Sequence, residues 1–134
     1  MLFHKDIYIP EKIKNIGIVK CQPKSTYHAQ RAANSDRYGL INLPQTVKFC
    51  ANDIIEVELY DNRPDIKFLV RLPYNEENDI CAVVLFTPQE VILKTLWLNR
   101  KIDKHATLDT SRYSAKFDGW INLSIVKNSE FWSA

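Results

Sequence analysis

Residues 80–86, Ile-Cys-Ala-Val-Val-Leu-Phe, form an unbroken apolar run between two turn-forming clusters, 75–79 and 87–90. Seven residues are too few for a helix but ordinary for a strand, and a strand apolar on both sides must be covered on both faces. That demand constrains the rest of the chain. Residues 66–74 alternate Ile66, Phe68, Val70 and Leu72 against Lys67, Leu69 and Arg71, the period of a strand with one buried face. Residues 54–60 are expected to place Ile55, Val57 and Leu59 on one side and Glu56 and Glu58 on the other, and residues 91–99 supply a fourth strand. The connections at 61–65, 75–79 and 87–90 are short, which predicts an antiparallel β-meander of about four strands.

Something must cover the second face of that sheet. Residues 27–37 lack Gly and Pro and contain three alanines, so they are expected to form a helix, with Ser25 or Thr26 as N-cap and Gly39 as terminator. Ala29, Ala32, Ala33 and Asp36 share a narrow face that can lie close against a sheet. The helix at 26–37 is therefore expected to supply the second cover. Residues 2–9, 13–21 and 120–126 read as extra terminal strands. The expected fold is one α+β domain spanning residues 1–134, a short N-terminal helix packed on the meander.

Composition narrows the function classes. Eighteen Lys and Arg against 16 Asp and Glu give a net charge of +2, which permits a nucleic-acid partner without demanding one. No apolar run approaches the roughly 20 residues of a membrane span, so no membrane partner is expected. Met1-Leu2-Phe3 runs directly into His4, Lys5 and Asp6, unlike a secretory leader. Cys21, Cys50 and Cys81 are odd in number and far apart, as in a reduced, cytoplasmic protein. There is no Gly-rich phosphate loop and no Gly-x-Ser-x-Gly elbow. Cys and His never occur in ligand-like pairs, so neither a metal nor another cofactor is expected. Pro64-Asp65 starts like a metal-nuclease signature, but no acid-x-lysine follows on the next strand.

The residues able to carry chemistry fall in three places. On the helix, His28 lies one turn from Arg31, as a general acid or base or as a helical histidine bonded to a nearby acceptor. After the last sheet strand the chain gathers Asp103, Lys104, His105, Thr107 and Asp109. There His105 is either an acid or base oriented by the flanking carboxylates or part of a network that pins the loop. Lys67 and Arg71 project from one face of a strand, where they would clamp a phosphate or pair with Glu56 or Glu58 on the neighbouring strand. Tyr113, beside Arg112, is amphipathic enough to line a pocket.

The order of these features resembles a known superfamily. The helical stretch Tyr27-His28-Ala29-Gln30-Arg31-Ala32 ends at Arg37-Tyr38-Gly39 and precedes the strands, the last reading Lys94-Thr95-Leu96-Trp97-Leu98-Asn99. This is similar to the barnase, EndoU, colicin and RelE-like ribonucleases and toxins, over roughly residues 25–113. The segment 103–109 with Tyr113 is also similar to uncharacterised phage-encoded proteins. The resemblance implies metal-independent RNA cleavage in the host cytoplasm, with His28 and His105 sharing the proton transfers and Arg71 holding the phosphate. Arg31, Lys67, Lys104, Thr107, Asp109 and Tyr113 would then bind substrate. Two other expectations compete: a non-catalytic phage protein that binds and inhibits a host protein, using the Lys67 and Arg71 face and the aromatics Phe131 and Trp132, and a nucleic-acid-binding module that does not cleave.

Overall fold

The computed structural model describes residues 7–8, 18–60, 65–103 and 120–121. In chain order the elements are β1 (Ile7–Tyr8), β2 (Val19–Cys21), β3 (Lys24–Ser25), α1 (Tyr27–Asn34), β4 (Val47–Phe49), a 3₁₀ turn (Ala51–Asp53), β5 (Ile54–Leu59), β6 (Ile66–Pro73), β7 (Asn78–Phe86), β8 (Val91–Arg100) and β9 (Trp120–Ile121). The class is α+β. Five strands form the main sheet in the order β3-β8-β7-β6-β5. Strands β5 to β8 pair antiparallel in succession, and β3 joins β8 in parallel. Two antiparallel pairs, β1 with β9 and β2 with β4, stand apart from it.

Alternation along β6 sets the faces. Ile66, Phe68 and Val70 are wholly buried, and the register carries their side of the sheet through Val84 and Ala82 to Leu93 and Leu96. On this face sit two further elements. The β2–β4 pair packs through Val19, Cys21, Val47 and Phe49, and α1 packs through Ala29 and Ala33. The three rings Phe49, Phe68 and Phe86 meet at centroid distances of 5.4, 5.6 and 6.3 Å, in the tilted and edge-on arrangements that aromatic quadrupoles favour.

On the side of the central strand that alternates away from that core, Cys81 and Leu85 are also buried and Val83 is half-buried. The expectation that the helix alone supplies one cover is corrected. It shares its face with β2–β4, because its flanks are tied to the edge of β8. The Thr26 N–H donates to the Leu93 carbonyl at 3.1 Å and its hydroxyl to the Lys94 carbonyl at 3.0 Å. Past the helix, Asp36 Oδ1 accepts from the Leu98 N–H at 3.1 Å. Beyond the two residues of β8 that pair with β3, the helix lies along its open side and shields it from pairing with another chain.

Helix α1 is shorter than the sequence suggests. Thr26 is its N-cap, its hydroxyl accepting from the Ala29 N–H. It ends at Asn34 rather than at Arg37, since the Asp36 carboxylate takes the Tyr38 and Leu98 N–H groups and so pulls the chain out of helical geometry. Gly39, at φ +124°, closes this turn instead of the helix. Strand β5 also departs from the reading. A bulge between Ile54 and Glu56 puts Ile54 and Val57 together on the buried side, where Ile55 was expected beside Val57. One extra residue inverts a period-two pattern.

Replacing Phe68 by Ala is expected to cost about 3–5 kcal/mol, and by Leu less than about 1.5 kcal/mol. Urea unfolding with an unchanged m-value checks both, and a loss under about 1 kcal/mol for Phe68→Ala would contradict the central place given to the ring cluster.

Candidate nucleic-acid interface

The layer that covers the core turns its other side outward. In the β2–β4 pair Val19, Cys21, Val47 and Phe49 point inward, so Lys20 and Lys48 point out, directly opposite each other in the register. On α1 the inward Ala29 and Ala33 leave Arg31 and Tyr27 on the far side by helical periodicity, with His28 beside them. All three are exposed, Tyr27 by 73%, and the Arg31 guanidinium lies 5.8 Å from the Tyr27 ring centre. Farther along, Arg37 and Arg100 both lie over the Tyr38 ring, at 4.6 and 4.3 Å. Such contacts hold guanidinium groups in place, and Arg100 also donates from Nη1 to Glu77 at 2.7 Å and to Asn78 at 3.4 Å.

Charge is segregated between the layers. Residues 18–52 contain five Lys or Arg and a single carboxylate, a net of +4, whereas residues 53–90 contain nine Asp or Glu against three Lys or Arg. The single carboxylate is Asp36, whose two oxygens already accept backbone N–H groups. It therefore neutralises little of the cationic layer. Lys24 pairs with Glu90 at 3.4 Å, but both are exposed, and such a pair is weak.

Next to this surface a cleft of about 460 Å³ opens between the end of α1 and β8. Ala32, Ser35, Asp36 and Arg37 line one side and residues 95–99 of β8 the other; of these, Leu96 and Leu98 face the core, whereas Thr95, Trp97 and Asn99 alternate toward the Arg71 side of the sheet, where the Asn99 amide donates to Cys81 Sγ at 3.5 Å. Ser35 donates its hydroxyl proton to the Arg31 carbonyl at 2.8 Å and so presents lone pairs as an acceptor.

The sequence-predicted residues divide. His28 and Arg31 stand on the outer layer. Lys67 and Arg71 alternate with Phe68 and Val70 and so project from the opposite side of the main sheet. His28 and Arg71 are not brought together. Nor do Lys67 and Arg71 form a phosphate clamp. Lys67 pairs with Glu58 at 2.8 Å. Burial there would lower its pKa, but the bond it donates to Glu58 and the charges of Tyr60 and Glu58 outweigh that and raise it. Arg71 donates from Nε to Asp79 at 2.8 Å and from Nη2 to the Arg100 carbonyl at 2.9 Å. Lys104, His105, Thr107, Asp109, Tyr113, Phe131 and Trp132 lie outside the described residues.

The buried thiols offer no nucleophile: burial pushes Cys21 up to about 12 and Cys81 up to about 11. Among the described residues no three His, Cys, Asp or Glu side chains gather to hold a metal ion, and no helix is long and apolar enough to cross a membrane. Lys20, Lys48 and Arg37 are functional candidates that motif reasoning passed over. Their signal was regional charge, which a whole-chain net of +2 conceals. No family model, curated protein or solved structure matches the chain.

Asp79 yields a prediction for the opposite end of the sheet. It accepts from both Arg71 and Lys101 at 2.8 Å. Burial alone would raise its pKa, but these two cations lower it overall. A lowered native pKa gives stability that is present above the unfolded carboxylate value, near 4, and lost as pH falls through the native value. Asp79→Asn is expected to cost about 1–3 kcal/mol at pH 7. The gap to the parent protein should close as urea midpoints are taken below pH 4, and a gap independent of pH would count against the network.

Proposed function

We propose that this protein binds RNA through the outer layer formed by α1 and the β2–β4 pair. The observation that carries the reading is the segregation of charge: residues 18–52 hold five cations, and their one carboxylate is bonded to backbone N–H groups. A segment with an excess of cations attracts a polyanion, which releases counterions on binding. Lys48 and Arg31 contact phosphates, and Tyr27 stands beside Arg31. Binding is favoured over cleavage because His28 and Arg71, the base and cation a metal-independent ribonuclease would need together, project from different layers of the fold.

Fluorescence anisotropy of a labelled RNA in chelator is the direct test. Affinity is expected to fall with salt, at roughly 0.7 in log–log slope per phosphate contacted on a single strand. Arg31→Ala and Lys48→Ala are each expected to weaken binding several-fold and to reduce that slope by about 0.7. Binding indifferent to salt, or untouched by the double variant, would sink the proposal. Gel analysis of the same mixtures shows whether the RNA stays intact, as binding without cleavage requires. Products that disappear in His28→Ala would restore the nuclease reading.

A further inference from the structure

A smaller cavity, of about 180 Å³, lies at the seam between the segment leading into β4 and the main sheet. Leu72 pairs with Ile80, and Val70 with Ala82, so Leu72, Ile80 and Ala82 share the core face at one end of β6 and β7. Together with Val47, buried on β4, they line the cavity. Its wall also holds Asn42 and Tyr74, where the exposed Asn42 donates its backbone N–H to the Tyr74 hydroxyl at 2.9 Å. That oxygen is thereby an acceptor, and its own proton is left to donate. No acceptor takes it among the described residues.

We infer that this cavity binds a single aromatic ring with a hydrogen-bond acceptor at its edge, as in a small nitrogen heterocycle. Size sets the first part. A cavity of roughly 150 Å³ lined by apolar side chains holds benzene, whereas drug-sized ligands need about 300 Å³ or more. At about 180 Å³ the site takes one ring with a small substituent. The lining sets the second part. Val47, Leu72, Ile80 and Ala82 offer no hydrogen-bonding side chain, so a ring bearing charge or several polar groups would be penalised by desolvation. Tyr74 supplies one donor, and one acceptor on the ligand satisfies it. The inference is independent of RNA binding.

The experiment is an amide NMR titration of the full chain with two probes, γ-picoline and toluene, its isostere with C–H in place of the ring nitrogen. The buffer is alkaline enough to keep that nitrogen unprotonated. γ-Picoline is expected to shift the amides of Val47, Ile80 and Ala82 at millimolar concentration. It should bind about five-fold more tightly than toluene, the scale of one net hydrogen bond. Tyr74→Phe removes the donor and should equalise the two probes while toluene binds as before. Ala82→Leu fills the cavity floor and should abolish binding of both, with thermal melting confirming that the variant folds. Tyr74→Phe decides the matter even where Ala82→Leu does not fold. Equal affinity of the parent protein for the two probes would overturn the inference. So would the absence of shifts at these amides, or a preference that survives Tyr74→Phe.

Discussion

Phe49 reaches from a three-residue strand to Phe68 and Phe86 of the main sheet, and that contact decides what the preceding part of the chain becomes. Strands as short as β2 and β4 hold no stable sheet alone. Packed through Val19, Cys21, Val47 and Phe49, they become part of a cover over the core, and their alternate residues face outward. The pair Lys20 and Lys48 is displayed for this reason. The same apolar face holds Ala29 and Ala33, which allow α1 to lie close along β8 and turn Arg31 and Tyr27 away from it.

Hydrogen bonds to the edge of β8 make this arrangement specific. Thr26 before the helix and Asp36 after it both bond to β8 backbone. Asp36 does two things at once. It ends the helix early by taking the Tyr38 N–H, and both of its oxygens are thereby engaged with backbone N–H groups. On the opposite side of the sheet the logic reverses. Lys67 and Arg71 are paired with Glu58 and Asp79, so their charge is spent holding strands together. Cations look alike in a sequence, and which of them a carboxylate holds is decided only when distant strands pair.

The strands of the main sheet were legible because alternation and unbroken apolar runs are local signals, and the Thr26 cap and alanine face of α1 were legible for the same reason. The bulge in β5 was not, since a single extra residue leaves composition unchanged while exchanging Ile55 for Ile54 on the buried side. The β2–β4 pair was hidden differently. Val47-Lys48-Phe49 is too short for periodicity to register, and its pairing with Val19-Lys20-Cys21 depends on a partner 28 positions away.

By itself the sequence determined the α+β class, the apolar central strand and the cationic stretch of residues 18–52. Those properties follow from side-chain type and spacing along the chain. Tertiary structure alone decided that His28 and Arg71 belong to different layers, that Arg71 is taken by Asp79, and that a cleft opens where α1 meets β8. Each of these depends on which face a residue presents and what folds against it, and faces are assigned only when distant segments pack.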